Sequence, residues 1–362
     1  MAAALACLGA TAAAQPVGAA RRTENVIFVV TDGVRWQEVF GGADSLFLFG
    51  DPKILGGDTT VVRRNVWDAD VTQRRRKLFP FLWDAVGRSG QLFGSDNAKV
   101  SIRNGLYFSY PGYNEMLAGF PDPRIDSNEH GPNENVTVFE WIAKQPGFAG
   151  RVAAFGTWDV FADIFNRQRS KLYVRAGWEP PYPSPRNASD SLLNRLYATT
   201  YREWDDNAWD SFAHQVAMRY LKEHKPRLLY VGYGETDEWA HAGRYERYLR
   251  AARQVDDYLA DLWQTVQAMP QYRGKTTLIV TTDHGRGNGS RWTDHGKDVD
   301  GAGRAWIAVI GPDTPNRGER NSAGVTQSQI AATVAALLGL DYRKAVPKAD
   351  APIDVFVARQ RR

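Results

Sequence analysis

The chain has 362 residues, of which 45 are Lys or Arg and 41 are Asp or Glu, giving a net charge of +4. That length suffices for one large domain or two ordinary ones, and so small a net charge gives no argument for nucleic-acid binding. The single cysteine, Cys7, lies near the N-terminus, so the rest of the chain has no disulfide, no thiolate zinc site and no cysteine nucleophile.

The first 20 residues resemble the end of a secretory signal peptide. They are small and apolar, and they offer an Ala-x-Ala cleavage pattern after Ala14. No later stretch reaches the roughly 20 uninterrupted apolar residues that a membrane span needs. We therefore expect an exported, soluble protein, periplasmic if its source is a Gram-negative bacterium.

Apolar runs alternate with amphipathic segments along the rest of the chain. The run NVIFVVTDG, residues 25–33, is apolar on both faces, as a buried parallel strand requires. Further strands are predicted at residues 151–159, 227–237, 276–285 and 305–312. Helices are predicted at residues 79–90, 136–145, 210–225, 245–268 and 326–340. The last helix should begin with a cap at Thr326 and end at Gly339.

This alternation indicates an α/β sandwich with a mostly parallel sheet. We expect residues 21–362 to form a single domain. Two long, mixed segments, at about residues 41–78 and 166–207, interrupt the alternation and are interpreted as insertions that decorate the domain.

Three of the predicted strands end at a carboxylate: Asp32, Asp237 and Asp283. The carboxyl ends of parallel strands line a common crevice where ligands bind, so these side chains should converge. Clustered carboxylates repel one another, and a bound cation is the simple remedy.

Histidines accompany two of these aspartates. Asp237 and His241 are four residues apart and would share one side of a helical turn. His284 directly follows Asp283. In an extended strand the two side chains would point in opposite directions and could bind two different metals, whereas a bend would bring both to one metal. His295 lies in the next loop. Together these residues suffice for two zinc-like sites, and paired metals are a standard device for phosphoryl transfer.

Taken singly, each residue has an ordinary explanation. Asp32 suits a plain turn, Asp237 and His241 suit a surface pair on a helix, and His284 and His295 suit a loop. The prediction rests on the joint pattern. The remaining histidines are interpreted as packing or surface residues: His130, His214 and His224.

Ser109 is the candidate nucleophile. It precedes Pro111-Gly112, which we expect to form a tight turn, and the helix-like segment YNEMLAG follows. A hydroxyl near a helix N-terminus and a metal has a lowered pKa and a setting that favours anions. The alternative is that Ser109 is only a helix cap.

The motifs VVTDGVRW, FSYPGYNEMLAG, GETDEWAHAG, TTDHG and TDHGK, in this order, resemble the alkaline phosphatase superfamily over about residues 24–340. The nearest branches are the nucleotide pyrophosphatase/phosphodiesterase-like and phosphoglycerate-mutase-like ones. The resemblance implies a three-layer sandwich with the metal site at the strand carboxyl ends. It also implies a two-metal hydrolase of phosphate mono- or diesters, with Ser109 forming a phospho-enzyme.

By the same resemblance, each of two divalent ions would have its own ligands. Zinc is favoured for both, with manganese as the alternative. One ion would be held by Asp32, Ser109, Asp283 and His284. The other would be held by Asp237, His241 and His295.

The chain departs from related enzymes in several ways. Its nucleophile motif is SYPG rather than Thr-Phe-Pro-Asn, and His295 lies closer to Asp283-His284 than in many phosphodiesterases. Sulfatases need a Cys/Ser-x-Pro-x-Arg motif, which SYPGY lacks, and mutases usually carry a large insertion after the nucleophile. Hydrolysis is therefore expected. The alternatives are a non-catalytic, metal-stabilised binding protein of the same fold and a phosphotransferase or mutase that uses the same site.

A small-molecule phosphate ester is the expected partner, not a nucleic-acid polymer. Its phosphate oxygens need donors, and the substrate-binding candidates are Asn104, Arg35 and Asn133, each with an alternative role as a surface or turn residue. The basic run at residues 74–77 is typical of a solvated surface. The sequence does not determine the oligomeric state.

Overall fold

The computed structural model describes residues 21–50 and 59–356. The signal-like segment, with Cys7, lies outside the described residues. The strands are β1 Asn25–Thr31, β2 Gln91–Phe93, β3 Val100–Ser101, β4 Val152–Gly156, β5 Tyr173–Ala176, β6 Leu228–Tyr233, β7 Thr276–Thr281, β8 Arg304–Ala305, β9 Ile307–Ile310, β10 Gly318–Glu319 and β11 Val325–Thr326.

The α-helices vary from single turns to one long helix near the middle of the chain. They are α1 Trp36–Gly41, α2 Ser45–Phe49, α3 Thr60–Val66, α4 Val71–Leu78, α5 Gly87–Ser89, α6 Ser109–Ala118, α7 Val138–Ala143, α8 Phe161–Ile164, α9 Arg167–Ser170, α10 Ala188–Thr199, α11 Asp210–His224, α12 Glu235–His241, α13 Tyr245–Ala268 and α14 Gln329–Leu337. A π-helical turn, Leu82–Val86, precedes α5, and 3₁₀ turns occur at Gly289–Arg291 and Tyr342–Lys344. None of the described helices has the length and apolar character needed to cross a bilayer.

The principal sheet has eight strands in the order β10-β2-β9-β7-β1-β6-β4-β5. Its central run from β7 to β5 is parallel, and β9 pairs antiparallel with both β7 and β2. A small sheet of β11, β3 and β8 lies apart from it. The predicted α/β fold with a mostly parallel sheet is confirmed.

Both faces of the sheet are covered, which makes the domain a three-layer sandwich. Along β1, Ile27 and Val29 pack into one apolar core and Val26 and Phe28 into the other. This alternation is the two-residue period of a strand. Helix α13 covers the first face, whereas α6 and α14 cover the second.

Some local predictions were wrong. The last helix begins at Gln329, because Thr326 belongs to β11 and its backbone N–H donates to the Gln329 side chain (2.9 Å). The segment 166–207 does more than decorate the domain, since it supplies β5 at the edge of the main sheet. The described part of 41–78 also buries Phe47 and Val62 in the core beside α13.

Candidate active site

The neighbouring strands β7, β1 and β6 bring the three aspartates to one edge of the sheet. Asp32 directly follows β1, Asp283 comes two residues after β7, and Asp237 lies in α12, immediately beyond β6. The strand predicted to reach Asp237 therefore ends earlier, at Tyr233. The helical alternative for Asp237 and His241 is the one that the structure adopts.

Asp32, Asp283 and His284 form an inner triad, whose ligand atoms all lie within 4.8 Å of one another. His284 Nε2 is 3.3 Å from Asp32 Oδ1 and 3.5 Å from Asp283 Oδ2. All three residues are buried. Neither of those carboxylate oxygens has a hydrogen-bond partner among the described residues, so two buried acceptors converge without donors.

Asp237, His241 and His295 form an outer triad of the same compactness. His241 Nε2 lies 3.1 Å from Asp237 Oδ2 and 3.0 Å from His295 Nε2. The His241 side chain is 47% exposed, so this triad opens to solvent.

The two triads adjoin through His284. Its Nε2 is 3.6 Å from Asp237 Oδ1, and its ring stacks on that of His295 with centroids 3.9 Å apart. The chain bends after β7, so that the adjacent side chains of Asp283 and His284 both point towards Asp32 and join the inner triad. Gln327 stabilises this bend by donating to the carbonyls of Thr282 (3.0 Å) and Asp283 (2.9 Å).

Ser109 lies beside the inner triad, with Oγ 3.5 Å from His284 Nε2. It is the first residue of α6, so the tight turn predicted at Pro111-Gly112 is wrong. Pro111 lies in the first helical turn, where a missing backbone N–H costs nothing, and the Gly112 N–H donates to the Phe108 carbonyl (3.1 Å). A Cβ on Gly112 would lie 2.4 Å from the Asp283 carbonyl oxygen, so glycine allows α6 to contact that backbone.

Burial and mutual repulsion shift the ionisation of the inner triad. Burial, with the charge of Asp32, raises the pKa of Asp283 to about 8. Burial opposes a charge on His284, but the carboxylates of Asp283 and Asp32 outweigh it and raise its pKa to about 9. In the outer triad, burial and the neighbouring cationic groups lower the pKa of His295.

These shifts predict a pH dependence for protein freed of metal by a chelator. Asp283 and His284 hold protons more tightly in the folded than in the unfolded chain, so the free energy of unfolding falls as the pH rises from neutral through about 8 and 9. Urea titrations over this window measure the slope. Asp283→Asn should flatten it, and a wild-type stability that rises with pH would contradict the assignment.

The predicted substrate-binding residues are engaged in structural contacts. Arg35 is 1% exposed and donates to Glu38 (2.8 Å) and to the Gly287 carbonyl (3.1 Å). Asn133 is fully buried, with Nδ2 3.3 Å from the Asn114 side chain. Asn104 binds Glu115 and its own loop. All three remain predictions that their contacts do not support.

Two residues beside the triads were missed by the sequence reading. Arg286 is buried and its guanidinium pairs with Asp237, while burial lowers its pKa to about 9. Tyr113 donates its hydroxyl to Asp32 Oδ2 (2.9 Å). Arg286 lies two residues after His284, and this adjacency to the motif was the only signal in the sequence.

Comparisons with known proteins identify the family and the fold of this chain. The family model for type I phosphodiesterase / nucleotide pyrophosphatase matches residues 109–324, well over half of the chain. The match begins at the candidate nucleophile and includes every triad residue except Asp32. A search of curated protein sequences gives no significant match.

Solved structures support the fold. Ps i-CgsB aligns with a TM-score of 0.54 at 15% identity, over 91% of this chain and 75% of its own. A TAB5 alkaline phosphatase variant with Mg bound in its M3 site gives 0.50 at 12%, over 89% and 99%. The lipoteichoic acid synthase LtaP from Listeria monocytogenes gives 0.50 at 11%, over 89% and 73%. The fold is that of the alkaline phosphatase superfamily, and within it this chain belongs to the type I phosphodiesterase / nucleotide pyrophosphatase family.

Proposed function

We propose that the protein hydrolyses phosphate esters, with diesters preferred, through attack by Ser109 beside two divalent cations. The observation that carries the proposal is the contact of two ligand triads with each other, with the Ser109 hydroxyl 3.5 Å from the histidine that joins them. The family match favours diesters. A phosphate monoester carries more negative charge than a diester and calls for a free cationic side chain. Arg35 and Arg286 do not offer one, because they are already paired with Glu38 and Asp237, and this also favours diesters.

The residues present suit cations. The triads combine buried carboxylate oxygens that lack a hydrogen-bond donor with imidazole nitrogens. This combination of ligand atoms suits zinc, and manganese is the alternative. The inner triad with Ser109 would hold one ion, and the outer triad the other. When bound, such a pair of cations lowers the pKa of a nearby hydroxyl and neutralises the oxygens of a phosphoryl group.

The chain's own groups then perform the displacement. Ser109 Oγ loses its proton and attacks phosphorus; the Oγ–P bond forms as the bond to the leaving oxygen breaks, and that oxygen takes up a proton. Water then cleaves the Oγ–P bond, which restores the hydroxyl and releases the phosphate product. Ser109 is the first residue of α6, and the positive end of the helix dipole favours the incoming anion.

We further propose that the substrate is a small molecule and that the protein is exported. The first rests on the modest net charge of the chain, and the second on its first 20 residues.

The test is an assay of metal-loaded protein on matched p-nitrophenyl esters. We expect bis-p-nitrophenyl phosphate to be hydrolysed faster than p-nitrophenyl phosphate, and p-nitrophenyl sulfate to remain intact, since the chain lacks the sulfatase motif. Absorbance of released p-nitrophenol gives the rates. Failure to cleave either phosphate ester with zinc or manganese would refute the proposal, and faster monoester cleavage would refute the diester preference.

Tyr113→Phe should weaken metal binding at the inner triad about 10–100-fold, because the lost hydroxyl orients Asp32 Oδ2. Calorimetric titration of zinc into metal-free protein measures this affinity. Tyr272→Phe is the matched control, since its buried hydroxyl donates to the Pro226 carbonyl (2.7 Å) and not to a triad residue. Equal zinc affinities in the two variants would show that the Tyr113 hydroxyl is structural only.

A further inference from the structure

A buried glutamate, Glu115, connects the helix of the candidate nucleophile to the loop before it. It lies on α6 and is fully buried. Its carboxylate accepts from the backbone N–H groups of Arg103 (3.0 Å) and Asn104 (2.8 Å), and from the Asn104 side chain (3.0 Å). It also accepts from the hydroxyl of Ser328 (2.7 Å), at the start of α14. So many donors on one carboxylate fix the loop firmly.

Asn104 passes this constraint along the loop. Its Oδ1 accepts from the N–H groups of Leu106 and Tyr107, both at 2.9 Å. Tyr107 adopts a φ of 55°, a left-handed conformation that a tyrosine rarely takes without support. Its ring lies against Gly303, where a Cβ would come within 2.9 Å.

The strained loop presents one carbonyl to the outer triad. The Tyr107 oxygen lies 3.1 Å from His295 Nδ1. A carbonyl only accepts, so Nδ1 must carry the ring proton. Nε2 then has a free lone pair, and it faces His241 Nε2 at 3.0 Å. Fixing the tautomer and ring orientation of a ligand histidine is a common role of such carbonyls in metal sites.

We propose that Glu115 is a positioning residue for His295: through Asn104 it holds the Tyr107 carbonyl in place, and this keeps the His295 ring proton on Nδ1 and Nε2 available to a cation. Only the assignment of His295 to a cation rests on the proposed function. The tautomer is a property of the protein without metal.

The experiment is long-range ¹H–¹⁵N correlation of metal-free protein labelled at histidine, with the His295 signals assigned from a His295→Gln variant. We expect the Nδ1–H tautomer in the wild type. In Glu115→Gln an amide N–H faces the donors that the carboxylate accepted, so the loop should loosen and His295 should become a mixture of tautomers. Zinc affinity of the outer triad should fall about 10–100-fold, with the inner triad unchanged.

Two further variants separate positioning from simple destabilisation. Ser328→Ala removes only the contact with α14 and should keep the Nδ1–H tautomer. Asn104→Ala leaves Glu115 unchanged but breaks its link to Tyr107, so it should give the same mixture of tautomers. This variant replaces Glu115→Gln as the test if Glu115→Gln does not fold. An Nε2–H tautomer in the wild type, or an Nδ1–H tautomer retained in Asn104→Ala, overturns the inference. Ester hydrolysis is not needed for this readout, so its absence would count against the proposed function alone.

Discussion

Ser109→Ala should lower kcat on bis-p-nitrophenyl phosphate by at least about 10³-fold, because loss of a nucleophile removes the covalent route. The methyl group leaves both triads in place but removes the hydroxyl that would help to hold the inner ion, so zinc should bind the inner triad more weakly while the free energy of unfolding changes little. Steady-state rates, elemental analysis and urea titration of the same preparation test the three expectations together.

Ser95→Ala is the matched control for this variant. Ser95 is buried to nearly the same degree as Ser109, at 7% against 6% exposure, and its hydroxyl has no partner among the described residues. Its rate should equal that of the wild type. Acid-quenched wild-type protein should carry a phosphoryl group on the Ser109 peptide by mass spectrometry. Full activity in Ser109→Ala would assign the attack to water instead.

Removal of the metals should abolish hydrolysis and lower the Tm. Cations that bind only the folded chain would stabilise it by about 2.7 kcal/mol per site when the free ion exceeds its Kd by 100-fold. Without them the inner triad relies on protonation of Asp283 and His284 to limit the repulsion between its buried carboxylates. Dialysis against a chelator, then calorimetry and assay, measures both losses, and zinc or manganese should reverse them.

Substitutions of two buried aspartates distinguish this effect from general destabilisation. Asp283→Asn removes a residue of the inner triad only, so its Tm should respond to the chelator clearly less than that of the wild type, through the outer triad alone. Asp256→Asn alters an acid that accepts from the backbone N–H groups of Phe81 (2.7 Å) and Leu82 (3.0 Å), away from the triads, and should keep the full response. A wild-type protein whose Tm and activity survive exhaustive chelation has no essential metal.

The sequence predicted the part of the site that depends on strand ends. An apolar run followed by an acid is a local pattern, and Asp32 and Asp283 follow such runs in the adjacent strands β1 and β7. The i,i+4 spacing of Asp237 and His241 likewise corresponds to one helical turn in α12. Local periodicity therefore sufficed to predict that these residues, distant along the chain, lie close together; their role as metal ligands stays a prediction.

Contacts between segments without such periodicity were not predictable. Arg35 was expected to be a substrate donor, yet Glu38 and the Gly287 carbonyl occupy it, and the latter partner is far away in sequence. Threonine is a residue type that often caps helices, but Thr326 lies in β11, which pairs with β3, so the helix begins later. Glu115 carries no motif, and its importance follows only from which backbone N–H groups reach it.

The two triads differ in their access to water, and this has a consequence for how ions are exchanged. Asp283 and His284 are wholly shielded, whereas nearly half of the His241 side chain faces solvent. In the proposed two-ion site, a cation that enters from the His241 side would reach the deeper position after passing the shallower one. The deeper ion should then leave slowly and the shallower one quickly, so a purified sample washed free of metal salts would retain closer to one ion per chain than two.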